Sequence, residues 1–258
     1  SAISSPEGEG EAKSNQLDDR RHPRLGWEHV MMQLEGAHSG AVRAVFEDLG
    51  GYGAVAREQS GGAEGPLVGH LQRTNIQLAA IPVFASKGLA ETTVNDLLAA
   101  AKVSRRTFYK YFNNKMDVLE GIYQTAVSLL LARFRDMQYA TGSSPAWLRS
   151  MVSLFFDYHL AVGPIIRLMQ EEALRADSPL AAHRQRAHLE MVELLTERLH
   201  DPHSTRDPLT YRALIWALEA ASLELLGSAA KRADIERAKA VLGDLLIASL
   251  CPQASPLA

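Results

Sequence analysis

"VSRRTFYKYF", residues 103–112, sets two arginines, a lysine and two tyrosines around three apolar residues, with no acid among them. Wound as an α-helix at ~100° per residue, it puts Arg105, Arg106, Tyr109 and Lys110 on one face and Phe108 and Tyr111 on the other. The apolar face belongs to a core. The opposite face offers only positive charge and hydroxyl-bearing rings, which suits a polyanion better than it suits bulk water.

The residues just upstream, "ETTVNDLLAAAK" at 91–102, supply a shorter helix before it. Thr93 and Asp96 have the spacing of a capping box, with aspartate in the usual glutamate position. Ala99, Ala100 and Ala101 are small enough for another helix to cross closely. Ser104 is placed to cap the second helix, and Val103 and Phe108 are spaced as a hydrophobic staple that sets its entry angle. Two short helices joined by a tight turn, the second basic on its outer side, make a helix-turn-helix. Such a helix fits the major groove of DNA. Arg105 and Arg106, with Thr107, are expected to read bases, since arginine pairs with guanine O6 and N7 in bidentate fashion. Tyr109, Lys110 and Lys115 suit phosphates, which position the helix without reading sequence.

These residues carry a family resemblance. Residues 71–119 resemble the DNA-binding domain of the TetR family of transcriptional regulators, through Ala79-Ala80, Phe84, Lys87-Gly88, Thr92-Thr93-Val94, Asp96-Leu97, Ala101, Val103-Ser104, Thr107-Phe108-Tyr109, Tyr111-Phe112, Lys115 and Leu119. The resemblance implies that Thr93, Tyr109, Tyr111 and Lys115 contact backbone phosphates, while Ser104, Arg105, Arg106, Thr107 and Lys110 face the groove. It also implies an all-α fold: an N-terminal helix-turn-helix domain, then a helical ligand-binding and dimerisation domain. The partners it implies are a palindromic double-stranded operator, a second copy of the chain and a small effector, with no cofactor. Three residues depart from the family pattern. Lys102 stands where the turn usually has glycine, Arg106 replaces another common glycine, and Pro82 falls inside the first helix, where it is expected to kink it.

The rest of the composition fits an intracellular globular protein. The net charge of −3 is unevenly spread: residues 1–69 hold 6 basic against 11 acidic side chains, and residues 70–120 hold 7 against 4. From 101 to 115 there are five positive charges and no negative one, so the basic stretch coincides with the helix-turn-helix. Cys251 is the only cysteine, which excludes an intramolecular disulfide. No apolar run reaches the ~20 residues of a membrane span, and nothing reads as a secretory signal. A cytoplasmic location is the expectation. Twelve of the eighteen glycines fall in residues 1–69, which read as a partly disordered extension with short helices near 27–35 and 41–49. Residues 70–119 are then the DNA-binding domain, 120–250 the effector-binding and dimerisation domain, and 251–258 a tail.

Helices are expected at 71–87, 93–100, 104–111, 114–139, 145–161, 164–176, 178–199, 207–228 and 234–250. Ser144-Pro145, Ser178-Pro179 and Asp207-Pro208 each read as a polar cap followed by a first-turn proline. The aromatic surplus at 145–161 suggests an apolar effector pocket drawn from Trp147, Met151, Phe155, Tyr158, Met169 and Trp216, completed by Met191 and Tyr211. His159, His188 and Glu219 would be its polar contacts. The effector is expected to be small and apolar or amphipathic. "YRALIWALEAASLELLGSAA" and "AKAVLGDLLIASL" are apolar around most of their circumference, so the last two helices are expected to form a homodimer. His183, His188, His200 and His203 lack metal-ligand spacing and read as surface residues. No phosphate loop, nucleophile elbow or paired cysteines point to an enzyme. The expected function is a homodimeric, sequence-specific DNA-binding repressor released by a small molecule. The alternative is a regulator without such a ligand, recruiting a protein partner through its N-terminal extension.

Overall fold

The structure is a computed structural model that describes residues 64–138, 143–199, 206–227 and 230–251, with side chains from residue 69 onward. The helices expected near 27–35 and 41–49, and any role of that extension, lie outside the described residues. Within them the chain forms nine α-helices and no strand. The first four are α1 (Glu64–Glu91), α2 (Val94–Ala101), α3 (Arg105–Tyr111) and α4 (Lys115–Gln138). The remainder are α5 (Ser144–Val162), α6 (Pro164–Ala173), α7 (Pro179–Arg198), α8 (Pro208–Gly227) and α9 (Arg232–Leu250).

α1 begins at Glu64, well before the expected residue 71. Pro66 falls in its first turn, where a missing N–H deprives no carbonyl, so the proline that reads as linker is compatible with a helix start. Pro82 does not break the helix either. The backbone leaves helical geometry at Gly88 instead, at φ 73° and ψ 172°, a conformation that glycine adopts without a Cβ clash. The break in helical geometry thus sits at Gly88, six residues after Pro82 and beside the turn into α2.

α2 and α3 follow the local signals closely. Thr93 Oγ1 accepts from the N–H of Asp96, and the Asp96 carboxylate accepts from the N–H of Thr93, closing the capping box. Lys102 takes the left-handed conformation (φ 53°, ψ 42°). Its N–H donates to Ala99 and that of Val103 to Leu98, the pair of bonds that ends a helix in a Schellman turn. Ser104 Oγ accepts from the N–H of Thr107 at 3.1 Å and starts α3. Of the three cap-proline pairs, Ser178 and Asp207 accept from the N–H groups of Leu180 and Leu209 as expected. The third is displaced: Ser144 is already helical, and Ser143 stands at the cap without a side-chain bond.

One apolar core runs the length of the molecule. Ile76, Phe84, Leu97, Phe108, Phe112 and Leu119 pack α1 to α3 against the start of α4, and Trp147, Phe156, Met169, Leu195, Ile215 and Leu246 continue it through the later helices. α1 also packs on α6, and α4 on α5 and α7, so the helix-turn-helix end is joined to the rest through two helices. Gly121 permits a close crossing of α4 over α1. A Cβ there would collide with the amide of Gln77, a buried residue. Among the described residues no single helix is long and apolar enough to cross a membrane. Only α5 and α6 taken together are long and apolar enough, and they bend by 106° at Gly163.

Candidate functional site

α3 presents the face its sequence requires. Phe108 is fully buried, while Arg105, Arg106, Tyr109 and Lys110 are exposed and Thr107 is half-buried with its hydroxyl 2.9 Å from that of Ser104. The Tyr109 ring stands edge-on to Phe108 with centroids 5.4 Å apart, so packing orients an otherwise exposed side chain. The Arg105 guanidinium is held by Asn95 Oδ1 of α2 at 2.7 Å, whereas Arg106 makes no hydrogen bond or ion pair among the described residues. Lys110 lies over the Tyr111 ring at 5.3 Å, and the Tyr111 hydroxyl donates to Gln72 Oε1 of α1 at 2.9 Å.

Asp96, in the first turn of α2, is neutralised. It is paired with Lys87 at 2.6 Å, and that bond, with those from the Thr93 backbone and hydroxyl, holds its carboxyl well below the usual carboxylate range. Thr93 is exposed, but its hydroxyl donates to Asp96 at 2.7 Å. The exposed face of α3 itself thus carries only cations and hydroxyls.

Lys115 is placed differently from the expectation that it binds phosphate. Its Nζ donates to the carbonyls of Leu89, Ala90 and Thr92 at 2.7, 2.9 and 2.8 Å. An ammonium has three protons, and these three acceptors engage all of them. The last turn of α1 has no basic residue of its own, and Lys115 serves its carbonyl end after the break at Gly88.

The later helices enclose a cavity of about 540 Å³, counted with its open mouth. α5 contributes Phe155, Tyr158 and His159, α6 Met169 and Gln170, and α7 His188 and Met191. α8 adds Glu219, and α4 forms a whole wall with Tyr123, Val127 and Leu130. Seven of the expected pocket residues are therefore brought together: Phe155, Tyr158, His159, Met169, His188, Met191 and Glu219. Met151 faces instead a narrow adjoining apolar gap with Phe134 and Leu218. Trp147 and Tyr211 are buried in the core and line neither space. Trp216 points outward, 38% exposed, beneath the Arg212 guanidinium at 5.2 Å. A helix apolar on several sides gives no sign of which aromatic faces in.

His188 is buried rather than at the surface, its Nε2 2.7 Å from Glu219 Oε1. Arg184 grips the same carboxylate through Nε and Nη2. Burial pushes the Glu219 carboxyl up, but the bonds from His188 and Arg184 outweigh it and hold the group below its ordinary value. His183 is half-buried on Glu120 at 2.6 Å, and His200 and His203 lie outside the described residues. Asn95, Gln72, Tyr123 and Gln170 were not foreseen. The first two act on partners 10 and 39 residues away, beyond any local pattern. A tyrosine on an apolar helix and a glutamine after a methionine look like ordinary helix residues.

Residues 76–122 match the sequence model of the family described as "Bacterial regulatory proteins, tetR family". The HTH-type transcriptional repressor LfrR of Mycolicibacterium smegmatis is 30% identical over 151 residues, covering 57% of this chain and 74% of the relative. Other curated relatives, repressors and an activator, are matched over 40% to 54% of their own length, so the chain spans about half of them. Among solved structures, the fatty acid degradation regulator FadR from Bacillus halodurans superposes with a TM-score of 0.60 at 22% identity, over 74% of this chain and 99% of its own. FadR from Bacillus subtilis, solved in complex with stearoyl-CoA, gives 0.59 at 19% identity, over 68% and 97%. These two likenesses concern the fold.

Proposed function

The chain belongs to the TetR family of transcriptional regulators, and from that premise we propose that it is a homodimeric, sequence-specific DNA-binding repressor that releases its operator when a small molecule fills the cavity. The observation that carries this reading is the exposed face of α3, whose charged side chains are all cations. Arg105 and Arg106 read guanines in the major groove, with Thr107 beside them. Ser104, Thr93, Tyr109, Lys110 and Tyr111 serve the groove edge and the phosphates.

A second copy is supported by what α8 and α9 leave uncovered. Leu209 and Trp216 on α8, and Val241 and Leu245 on α9, are 54%, 38%, 58% and 44% exposed. A two-fold pairing of these helices buries that surface and sets two copies of α3 about one DNA turn, ~34 Å, apart. Such a dimer requires a palindromic operator.

The route from cavity to DNA is short. α6 lines the cavity and packs on α1, and α4 lines it and begins at Lys115, which holds the junction of α1 with α2. A molecule that displaces α4 or α6 moves the reading heads, and mis-spaced heads engage only one half-site. The Bacillus subtilis neighbour of the same fold is solved in complex with stearoyl-CoA, which supports a small-molecule ligand for this chain.

Selection of duplexes from a random pool tests the proposal. An enriched palindrome whose guanines Arg105→Ala or Arg106→Ala no longer prefers is the expected result. No enrichment at moderate salt overturns it.

A further inference from the structure

The polar groups in the cavity wall differ sharply in what they have left to offer. The Tyr158 hydroxyl donates to the Ala126 carbonyl at 2.7 Å. Glu219 is fully engaged by His188 and Arg184. Besides the Tyr123 hydroxyl, which can donate or accept, and His188 Nδ1, two acceptors are set by their bonds. His159 is 5% exposed, and its Nδ1 lies 2.7 Å from the Phe155 carbonyl. A carbonyl oxygen can only accept, so Nδ1 carries the proton and Nε2, with no partner recorded among the described residues, keeps a bare lone pair. Gln170 donates from Nε2 to Ser222 Oγ at 3.2 Å, while its Oε1 is buried without a partner. A buried acceptor left unpaired costs ~1–3 kcal/mol, which a ligand bearing a donor recovers.

Charge narrows the class further. Among the described residues the cavity wall contains no lysine or arginine, and the Arg184 guanidinium is committed to Glu219. A carboxylate or phosphate entering here would be desolvated beside an ionised glutamate without a free cation. A cationic ligand fares no better, because the single carboxylate already has two partners.

We propose that the cavity takes an uncharged apolar molecule whose polar end, a hydroxyl or an amide N–H, donates hydrogen bonds to His159 Nε2 and Gln170 Oε1. This rests on the reading of the cavity as an effector site. It also sets the chain apart from a relative that holds an acyl-CoA, whose head group is polyanionic.

A matched series on one skeleton tests it: decanol, decyl methyl ether, decanoate and decylammonium, titrated calorimetrically into the full chain. The alcohol is expected to bind at least about tenfold more tightly than the ether, the worth of about one good hydrogen bond. Decanoate and decylammonium are expected to bind more weakly than either. In His159→Phe and Gln170→Met the advantage of alcohol over ether should shrink toward nothing while the ether still binds. Ether binding as tight as alcohol, preference for either ion, or binding of none of the four overturns the inference. The wild-type series alone decides this, whatever the variants do to folding. Operator binding by the same preparation separates the two levels. A chain that recognises its operator but ignores the alcohol refutes only the ligand class, and a chain without operator recognition refutes the parent reading.

Discussion

Lys115 Nζ donates to the Leu89 carbonyl at 2.7 Å, tying the first turn of α4 to the broken end of α1. With its bonds to Ala90 and Thr92 it acts as a clip for the turn that leads into the helix-turn-helix. Lys115→Gln should weaken operator binding about tenfold by loosening that turn. The salt dependence should keep its slope. Loss of a direct phosphate contact would lower the slope by ~0.9 per contact, so binding measured across a salt series separates the two roles.

Asn95 and Arg105 should act on DNA as a unit. The bond between them aims the guanidinium before contact, so Asn95→Ala should cost part of what Arg105→Ala costs, and at the same base pair. A bidentate guanine contact is worth ~1–3 kcal/mol of discrimination. A double-mutant cycle on operator affinity should give a coupling above ~0.5 kcal/mol. Strict additivity would mean that Arg105 swings free of Asn95 on DNA.

Trp216 and Val241 should report on the second copy. Replacing both with glutamate puts charge on the uncovered face of α8 and α9 without touching the core. Sedimentation should then show half the mass, and operator affinity should fall on the order of a hundredfold as avidity is lost. A variant pair that stays dimeric would move the interface elsewhere.

His159 should set an acid limit on stability. Burial lowers its pKa from 6.5 to about 4, with the Phe155 bond and the charge of Glu219 pulling the other way. The unfolded chain therefore binds the proton first. Stability is undiminished above 6.5 and declines as the pH falls toward 4, by at most ~1.4 kcal/mol per unit for one proton. Urea unfolding across this window should show the slope in the wild type and a flatter one in His159→Phe. Equal slopes would assign the acid sensitivity to other groups.

What the sequence determined by itself lies within a few residues' reach. The Thr93–Asp96 box and the Ser104 cap are bonds between near neighbours, written in residue types at fixed spacing. The basic face of α3 follows from the 3.6-residue period in the same way. The tertiary structure alone decided which distant groups meet. It turned Lys115 onto carbonyls 23 to 26 residues back, placed a break in α1 at Gly88, and brought α4 into the cavity wall. It also sent Trp147 inward and Trp216 outward. Periodicity marks a side of a helix as apolar, but what covers that side is settled by helix packing. Free hydrogen-bonding groups such as His159 Nε2 are defined only by the partners that packing provides or withholds.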